Sequence, residues 1–292
     1  MKPAPFRYRR PETLEAALDA LEHEPGARVL AGGQSLVPLM NQRRERPATI
    51  VDITRLEGLG DVEAAHGRLR VGALVTQAAF ERAPGVVTHC PLAFESLPFT
   101  GHLATRNRGT VGGSIAHADP RAELPLALLT LGGTAEVASR GGRRTIAAED
   151  LFTGPYENAL AAGEILVATD WPTTDELPGQ AFEELAQRHG DYTIAAAACA
   201  LRLDGAGRVV VARVGVGAVG DRPLLVPEAG AALVGDAIDA GVADAAGRAA
   251  AAAIDAPLED IHGSARYRRR LVEVLVARTA RTAFQRAREA TA

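Results

Sequence analysis

The chain has 292 residues, of which 47% are hydrophobic and 23% charged, with a formal net charge of −4, the profile of a globular protein long enough for two domains. The negative balance excludes nucleic acid as a standing partner, because phosphate binding needs a concentrated basic surface. Lys2 is the sole lysine, which removes the phosphate-binding lysine of a P-loop and any Schiff-base lysine, and the two distant cysteines, Cys90 and Cys199, cannot by themselves hold an iron–sulfur cluster or a structural zinc.

From Thr13 the segment TLEAALDAL places Leu14, Ala17, Leu18 and Leu21 at helical spacing, and Arg28 to Leu30 read as a short strand. AGGQS follows at once, then LVPLM as a short helix and TIVDI at Thr49 to Ile53 as a strand. This is a compact βαβ unit with its glycines at the turn from strand to helix. RLRVGAL then reads as a strand, VTQAAFERA and PLAFESL as helices, and TAEVAS, RRTIA and EILVATDW as an antiparallel sheet with turns at Gly132-Gly133 and Gly141-Gly142. PTTDELPGQ, from Pro172 to Gln180, carries no periodicity and marks a domain boundary. Beyond it, FEELAQRHGDYTIAAAACALRLD and RVVVARVGVGAV read as long strands joined by a hairpin at Asp204 to Gly207. Three helices complete the chain: PEAGAALVG, VADAAGRAAAAAI and a long amphipathic one from about Ala265 to Arg288. Cys199, inside AAAACAL, is expected to be a small buried hydrophobe. No apolar run reaches the roughly 18 residues of a membrane span, and the start MKPAPFRYRRPE lacks a signal-peptide core, so the chain is expected in the cytoplasm.

Three glycine-bearing stretches invite comparison. GVGAVG, Gly215 to Gly220, fits the dinucleotide pattern G-x-G-x-x-G, but Asp221-Arg222-Pro223 follows where a helix should start, so it is set aside. AGGQS, comprising Ala31, Gly32, Gly33, Gln34 and Ser35, has a strand before it and a helix after it. Its backbone can approach oxygen atoms without obstruction by Cβ and offer amides to an anion, although a plain strand-to-helix turn would use the same residues. TVGGS repeats the chemistry with Thr110, Gly112, Gly113 and Ser114, and is followed by a helix opening at Arg121 to Leu124. Two such loops facing each other would grip a diphosphate with few cationic side chains, and Glu123 could accept from ribose hydroxyls. Its other reading is charge complementarity at a helix start. Tyr192 stands where the second domain begins a strand and is a candidate for contact with an aromatic cofactor, or else a half-buried sheet residue. His117 lies within the second motif and could line the same cleft or an ordinary surface loop. The seven histidines show no metal-ligand spacing, so no metal site is expected.

AGGQSLVPLM, TRNRGTVGGSIAHADPRAELP, RHGDYTIAAAAC and HGSARYRRRLVEVL, in this order and spread over nearly the whole chain, resemble the FAD-binding medium subunit of the molybdenum hydroxylases, typified by aerobic carbon monoxide dehydrogenase and including the xanthine dehydrogenases. The resemblance implies an α+β fold: a two-subdomain FAD-binding domain of the vanillyl-alcohol-oxidase (PCMH) type over residues 1–175, with subdomains of about 1–55 and 56–175, then a small α+β domain over 176–292 with an antiparallel sheet and helices. It implies that Ala31 to Ser35 and Thr110 to Ser114 hold the pyrophosphate of FAD from two sides, that Glu123 meets the adenosine ribose and that Tyr192 lies beside the isoalloxazine. No residue matches the histidine link of covalent flavoprotein cousins, so the FAD is expected to be non-covalent. In some relatives the fourth loop residue is His; Gln34 keeps a donor there and removes a titrating group. No catalytic side chain is assigned, because the redox chemistry belongs to FAD. The resemblance further implies a small iron–sulfur subunit with [2Fe–2S] clusters and a large subunit with molybdopterin-bound molybdenum, in a heterotrimer dimerised to a heterohexamer. Two other readings stay open at this stage: a self-contained FAD-dependent oxidoreductase of the same fold, and an assembly protein without flavin, against which the intact glycine loops speak.

Overall fold

The computed structural model describes residues 2–235 and 237–291. The chain begins with β1 (Arg7–Arg9), α1 (Leu14–His23), β2 (Ala27–Leu30), α2 (Leu36–Asn41) and β3 (Thr49–Asp52), whose strands form a parallel sheet in the order β1-β3-β2. The Thr13 hydroxyl starts α1 by accepting from the Ala16 amide at 3.2 Å, and Ala17 and Leu18 turn inward. These elements pack through Val51, Ile53, Leu56 and Leu59 against Ile165 and Val167 of the next sheet.

That second sheet takes β4 (Val62–Ala65) and β5 (Arg68–Gly72). Between it and its remaining strands run α3 (Gln77–Arg82), α4 (Val86–His89), α5 (Pro91–Ser96), a 3₁₀ turn at Leu97–Phe99, α6 (Leu103–Arg106), α7 (Val111–His117) and α8 (Glu123–Leu131). Then follow β6 (Thr134–Ser139), β7 (Gly142–Ala147), α9 (Ala148–Leu151), the small pair β8 (Phe152–Gly154) and β9 (Glu157–Asn158), and β10 (Ile165–Pro172). The order β4-β5-β10-β6-β7 is antiparallel throughout. Every residue of α8 is buried, as a helix apolar on all sides requires.

The third sheet, β11 (Gly179–Ala186), β12 (Thr193–Leu203), β13 (Val209–Gly217) and β14 (Leu224–Leu225), is antiparallel and carries α10 (Pro227–Leu233), α11 (Ala240–Ala252) and α12 (Ala265–Thr291). Where the sequence suggested one long strand from Phe182 to Asp204, the chain breaks at Gln187 to Tyr192 into β11 and β12. RHGD supplies the turn, and Gly190 adopts φ +82° beside His102. No helix among the described residues is long and apolar enough to cross a membrane.

β12 is buried on both faces. Ala196, Ala198 and Ala200 join the core around α8, whereas Ala195, Ala197, Cys199 and Leu201 join the core under α10, α11 and α12, the period of two expected of a strand. Cys199 is thus fully buried, which pushes its thiol up to about 12. The glycines of GVGAVG serve the same seam. A Cβ on Gly215 would stand 2.1 Å from Thr130 Oγ1, and one on Gly217 would stand 2.9 Å from Leu126 Cδ2, both on α8. Arg213 closes the seam by donating to the Thr130 and Leu129 carbonyls at the C-terminal end of α8, at 2.8 and 3.2 Å.

At the other end of α8 the seam holds two acids, Glu123 buried and Glu184 half-buried. Glu123 accepts from the Thr100 hydroxyl at 2.9 Å, and Glu184 on β11 accepts from the Thr193 hydroxyl at 3.1 Å. Burial drives both carboxyls upward, Glu123 to about 7 and Glu184 to about 8, and the Glu123 charge raises Glu184 further. Next to Thr100, the Phe99 ring lies 5.9 Å from that of Phe182 and 6.0 Å from that of His189.

Two outcomes are expected. Gly215→Val overpacks the seam and costs about 1–3 kcal/mol in urea unfolding. The acid pair makes stability pH-dependent: its folded-state pKa values lie above the unfolded range, so its destabilising effect is absent near pH 4 and grows as pH rises through 7 to 8. Thermal melts should therefore show Glu184→Gln gaining on the parent chain from pH 6 to pH 8; parallel curves would contradict the assignment.

Candidate functional site

The two glycine motifs meet at the junction of the first two sheets. β2 delivers Ala31 to Ser35 at its C-terminal end, and the segment after α6 delivers Arg108 to Ser114. They touch through backbone: a Cβ on Gly32 would stand 2.2 Å from the Arg108 carbonyl oxygen and 2.7 Å from Gly109 Cα, so only glycine fits there. Gly33 turns the chain at φ +72° into α2. Gly113 looks toward Ala31, its absent Cβ 3.8 Å from the Ala31 methyl.

The motifs differ in what their amides do. Among the described residues the amides of Gly32, Gly33, Gln34 and Ser35 donate to no protein acceptor, and they stand ahead of α2 beside a cavity of about 720 Å³. In the second motif the expected loop is the first turn of α7. Thr110 is its N-cap and accepts from the Gly113 amide at 2.9 Å, Gly112 donates to the Ala73 carbonyl at 3.2 Å and Val111 to that of Val75 at 2.9 Å. Gly112 is glycine because Ala73 presses on it, with Cα and Cβ both 2.6 Å from a built Cβ. The first motif offers donors, and the second supplies the opposing wall with the Thr110 side chain on it.

The cavity is lined by Ala31 to Gln34 and by Thr110, and by residues the sequence reading did not single out. Arg10 and Arg108 bring positive charge, Asn107 and Thr76 bring polar groups, and Leu30, Leu74, Val37 and Pro38 form an apolar side. Asn107 and Arg108 lay inside the quoted second motif, so their signal was position within it; Arg10 carried none. Asp52 also lines the cavity. Burial works the other way, yet hydrogen bonds from Thr54 and from the Tyr8 hydroxyl hold its carboxyl below the ordinary range, so an anion faces this corner.

Ser35, Gly112, Gly113 and Ser114 do not line the cavity. Glu123 and Tyr192 stand apart from it: Glu123 is buried beside Glu184, and Tyr192 is 65% exposed at the end of the β11–β12 turn. The Arg121 guanidinium lies 5.9 Å from the Tyr192 ring centroid. His117 is half-buried with its ring 5.2 Å from that of Tyr156, and burial lowers its pKa. One trio of metal-ligating types exists among the described residues, the surface set Asp19, Glu22 and His23. Arg140 pairs with both of its carboxylates, at 2.9 and 3.9 Å.

Unspent amides at a strand-to-helix turn, glycines that let two backbones converge, and a roomy cavity with arginines and one apolar side suit a dinucleotide with a diphosphate. Comparison with known proteins agrees. Residues 4–174 match the family described as FAD binding domain in molybdopterin dehydrogenase, and residues 180–283 match CO dehydrogenase flavoprotein C-terminal domain. The nicotine 6-hydroxylase medium subunit of Paenarthrobacter nicotinovorans is 39% identical, over 96% of this chain and 97% of that protein. The carbon monoxide dehydrogenase medium chain of Afipia carboxidovorans is 35% identical, over 99% and 100%. A chain in the crystal structure of quinoline 2-oxidoreductase from Pseudomonas putida 86 superposes with a TM-score of 0.93 at 39% identity, over 98% of this chain and 99% of that one. The chain therefore belongs to the FAD-binding medium subunits of the molybdenum-containing dehydrogenases and hydroxylases.

Proposed function

We propose that this chain is the electron-exit subunit of a molybdenum hydroxylase, passing electrons from the [2Fe–2S] clusters of a small partner subunit to an external acceptor such as NAD⁺, a quinone or oxygen. When bound, FAD supplies the redox chemistry, accepting electrons singly or in pairs. The chain's own work is to bind, orient and shield that group. The observation that carries the reading is the row of unspent amides from Gly32 to Ser35 beside the cavity.

In this reading the Ala31 to Ser35 amides and the Arg10 and Arg108 side chains receive the diphosphate, with Thr110 across from them. Gly112, Gly113 and Ser114 hold the second wall at the required distance. Glu123 reaches the cofactor's hydroxyls from the seam, and Tyr192 borders the isoalloxazine. With Glu123 sharing its region with Glu184, a carboxyl that is half-protonated near neutral pH can donate to a hydroxyl as well as accept from one. The two functional units divide near residue 175, with the flavin between them, and the first unit divides again near residue 55. Substrate oxidation takes place at molybdenum in a large subunit, and the assembly is a dimer of heterotrimers. The two buried cysteines, far apart in the fold's two cores, support the placing of the clusters in a partner.

The purified chain is expected to show a flavin spectrum, without iron–sulfur absorption, and to release all of its chromophore on denaturation. Gly33→Val and Gly113→Val should each fold with depleted flavin, the first because a side chain is strained at φ +72° and the second because its Cβ meets the Thr110 cap 2.7 Å away. Flavin per folded chain, read by absorbance, at the parent level in either variant would remove that segment from the site. Glu123→Gln keeps an acceptor and mimics the protonated acid, so FAD affinity should fall by about 1 kcal/mol or less.

A further inference from the structure

Tyr192 is the last residue of the turn between β11 and β12, it is 65% exposed, and among the described residues its phenol oxygen has no hydrogen-bond partner. Packing therefore does not fix its ring. What lies against it is Arg121, from the other side of the seam, with its guanidinium carbon 5.9 Å from the ring centroid.

Arg121 is itself tightly placed. Its amide donates to Asp119 Oδ1 at 3.0 Å, and the preceding Pro120 carbonyl accepts from the Ala218 amide at 3.0 Å. Its guanidinium pairs with Asp260 Oδ2. Asp260 Oδ1 in turn accepts from Arg268 at 2.7 Å and from the His262 amide at 2.8 Å. Burial opposes ionisation there, yet these donors and the two arginines hold the Asp260 carboxyl down at about 2. Arg268 is fully buried and donates to the Ala218 carbonyl at 2.9 Å and to that of Ile194. Ile194 is two residues beyond Tyr192. The network thus grips the tyrosine twice: Arg268 at the start of the strand that follows it and Arg121 at the ring. One carboxylate neutralises one of the two cations, so a net positive charge remains to face the π cloud.

We propose that Arg121, anchored through Asp260 to the buried Arg268, is a positioning residue that holds the Tyr192 ring at the border of the flavin cleft across the seam between the two domains. This rests on the reading that Tyr192 borders the isoalloxazine. It gives Arg121 a role that ordinary interdomain ion pairing would not require, because the ring orientation depends on a flat cation at that point.

The fluorescence decay of FAD bound to the full chain tests it, since a phenol in contact with an excited flavin quenches it by donating an electron. Tyr192→Leu should lengthen the decay severalfold. Arg121→Met, with Tyr192 intact and FAD stoichiometry unchanged, should lengthen it in the same direction, and the double variant should go no further than Tyr192→Leu alone. A parent-like decay in Arg121→Met beside a lengthened one in Tyr192→Leu overturns the positioning role while leaving the tyrosine beside the flavin. An unchanged decay in Tyr192→Leu overturns the placement of the tyrosine itself, and the inference with it. Should Arg121→Met fail to retain FAD, Arg121→Lys decides: it preserves the ion pair to Asp260 but not the flat cation, and an unlengthened decay there overturns the proposal.

Discussion

The distance between helix α8 and the β12–β13 face sets the geometry of the whole molecule. α8 is apolar on every face apart from Glu123 and Thr130, so it must be covered all round. It is covered because the strands laid on it carry alanine at Ala196, Ala198 and Ala200 and glycine at Gly215 and Gly217. Close approach multiplies weak dispersion contacts. The price is intolerance: a single methyl group at Gly215 has nowhere to go.

That seam organises the polar groups at its ends. Arg213 terminates α8 at one end, while at the other Glu123 and Glu184 come close enough for one charge to act on the other, with Thr100 and Thr193 supplying one hydrogen bond each. The Arg121–Asp260–Arg268 chain crosses at the same end and binds the residues just before α8 to the start of α12. Charged groups at a buried boundary are costly unless each has a partner. Here the arginines are partnered by carboxylate and carbonyl oxygens, save for the buried Nε of Arg268, and the acids are relieved by holding protons near neutral pH.

Much of the fold was legible. TAEVAS became β6 residue for residue, and the strand–glycine–helix–strand order of the first unit appeared as written. GVGAVG was rightly set aside as a nucleotide loop, although its glycines gained a reason only when α8 was seen against them. The break between β11 and β12 was missed because the flanking apolar residues continue on both sides of RHGD. The second motif was read as a loop because its adjacent glycines look like one. In the folded chain Thr110 caps it and turns it into a helix start.

The sequence by itself determined the kinds of element, their order and the two segments where a backbone can come close to an oxygen-rich ligand. Those properties depend on side-chain size and spacing within a few residues, and they are written locally. Only the tertiary structure decided which amides remain unspent, since Gly112 and Val111 give theirs to Ala73 and Val75 while Gly32 to Ser35 keep theirs. It alone placed Arg10 and Arg108 at the cavity, paired Glu123 with Glu184 and brought Arg121 over Tyr192. A hydrogen bond, a raised carboxyl or a stacked cation depends on what the rest of the chain brings alongside, and that is settled by packing, not by neighbours in sequence.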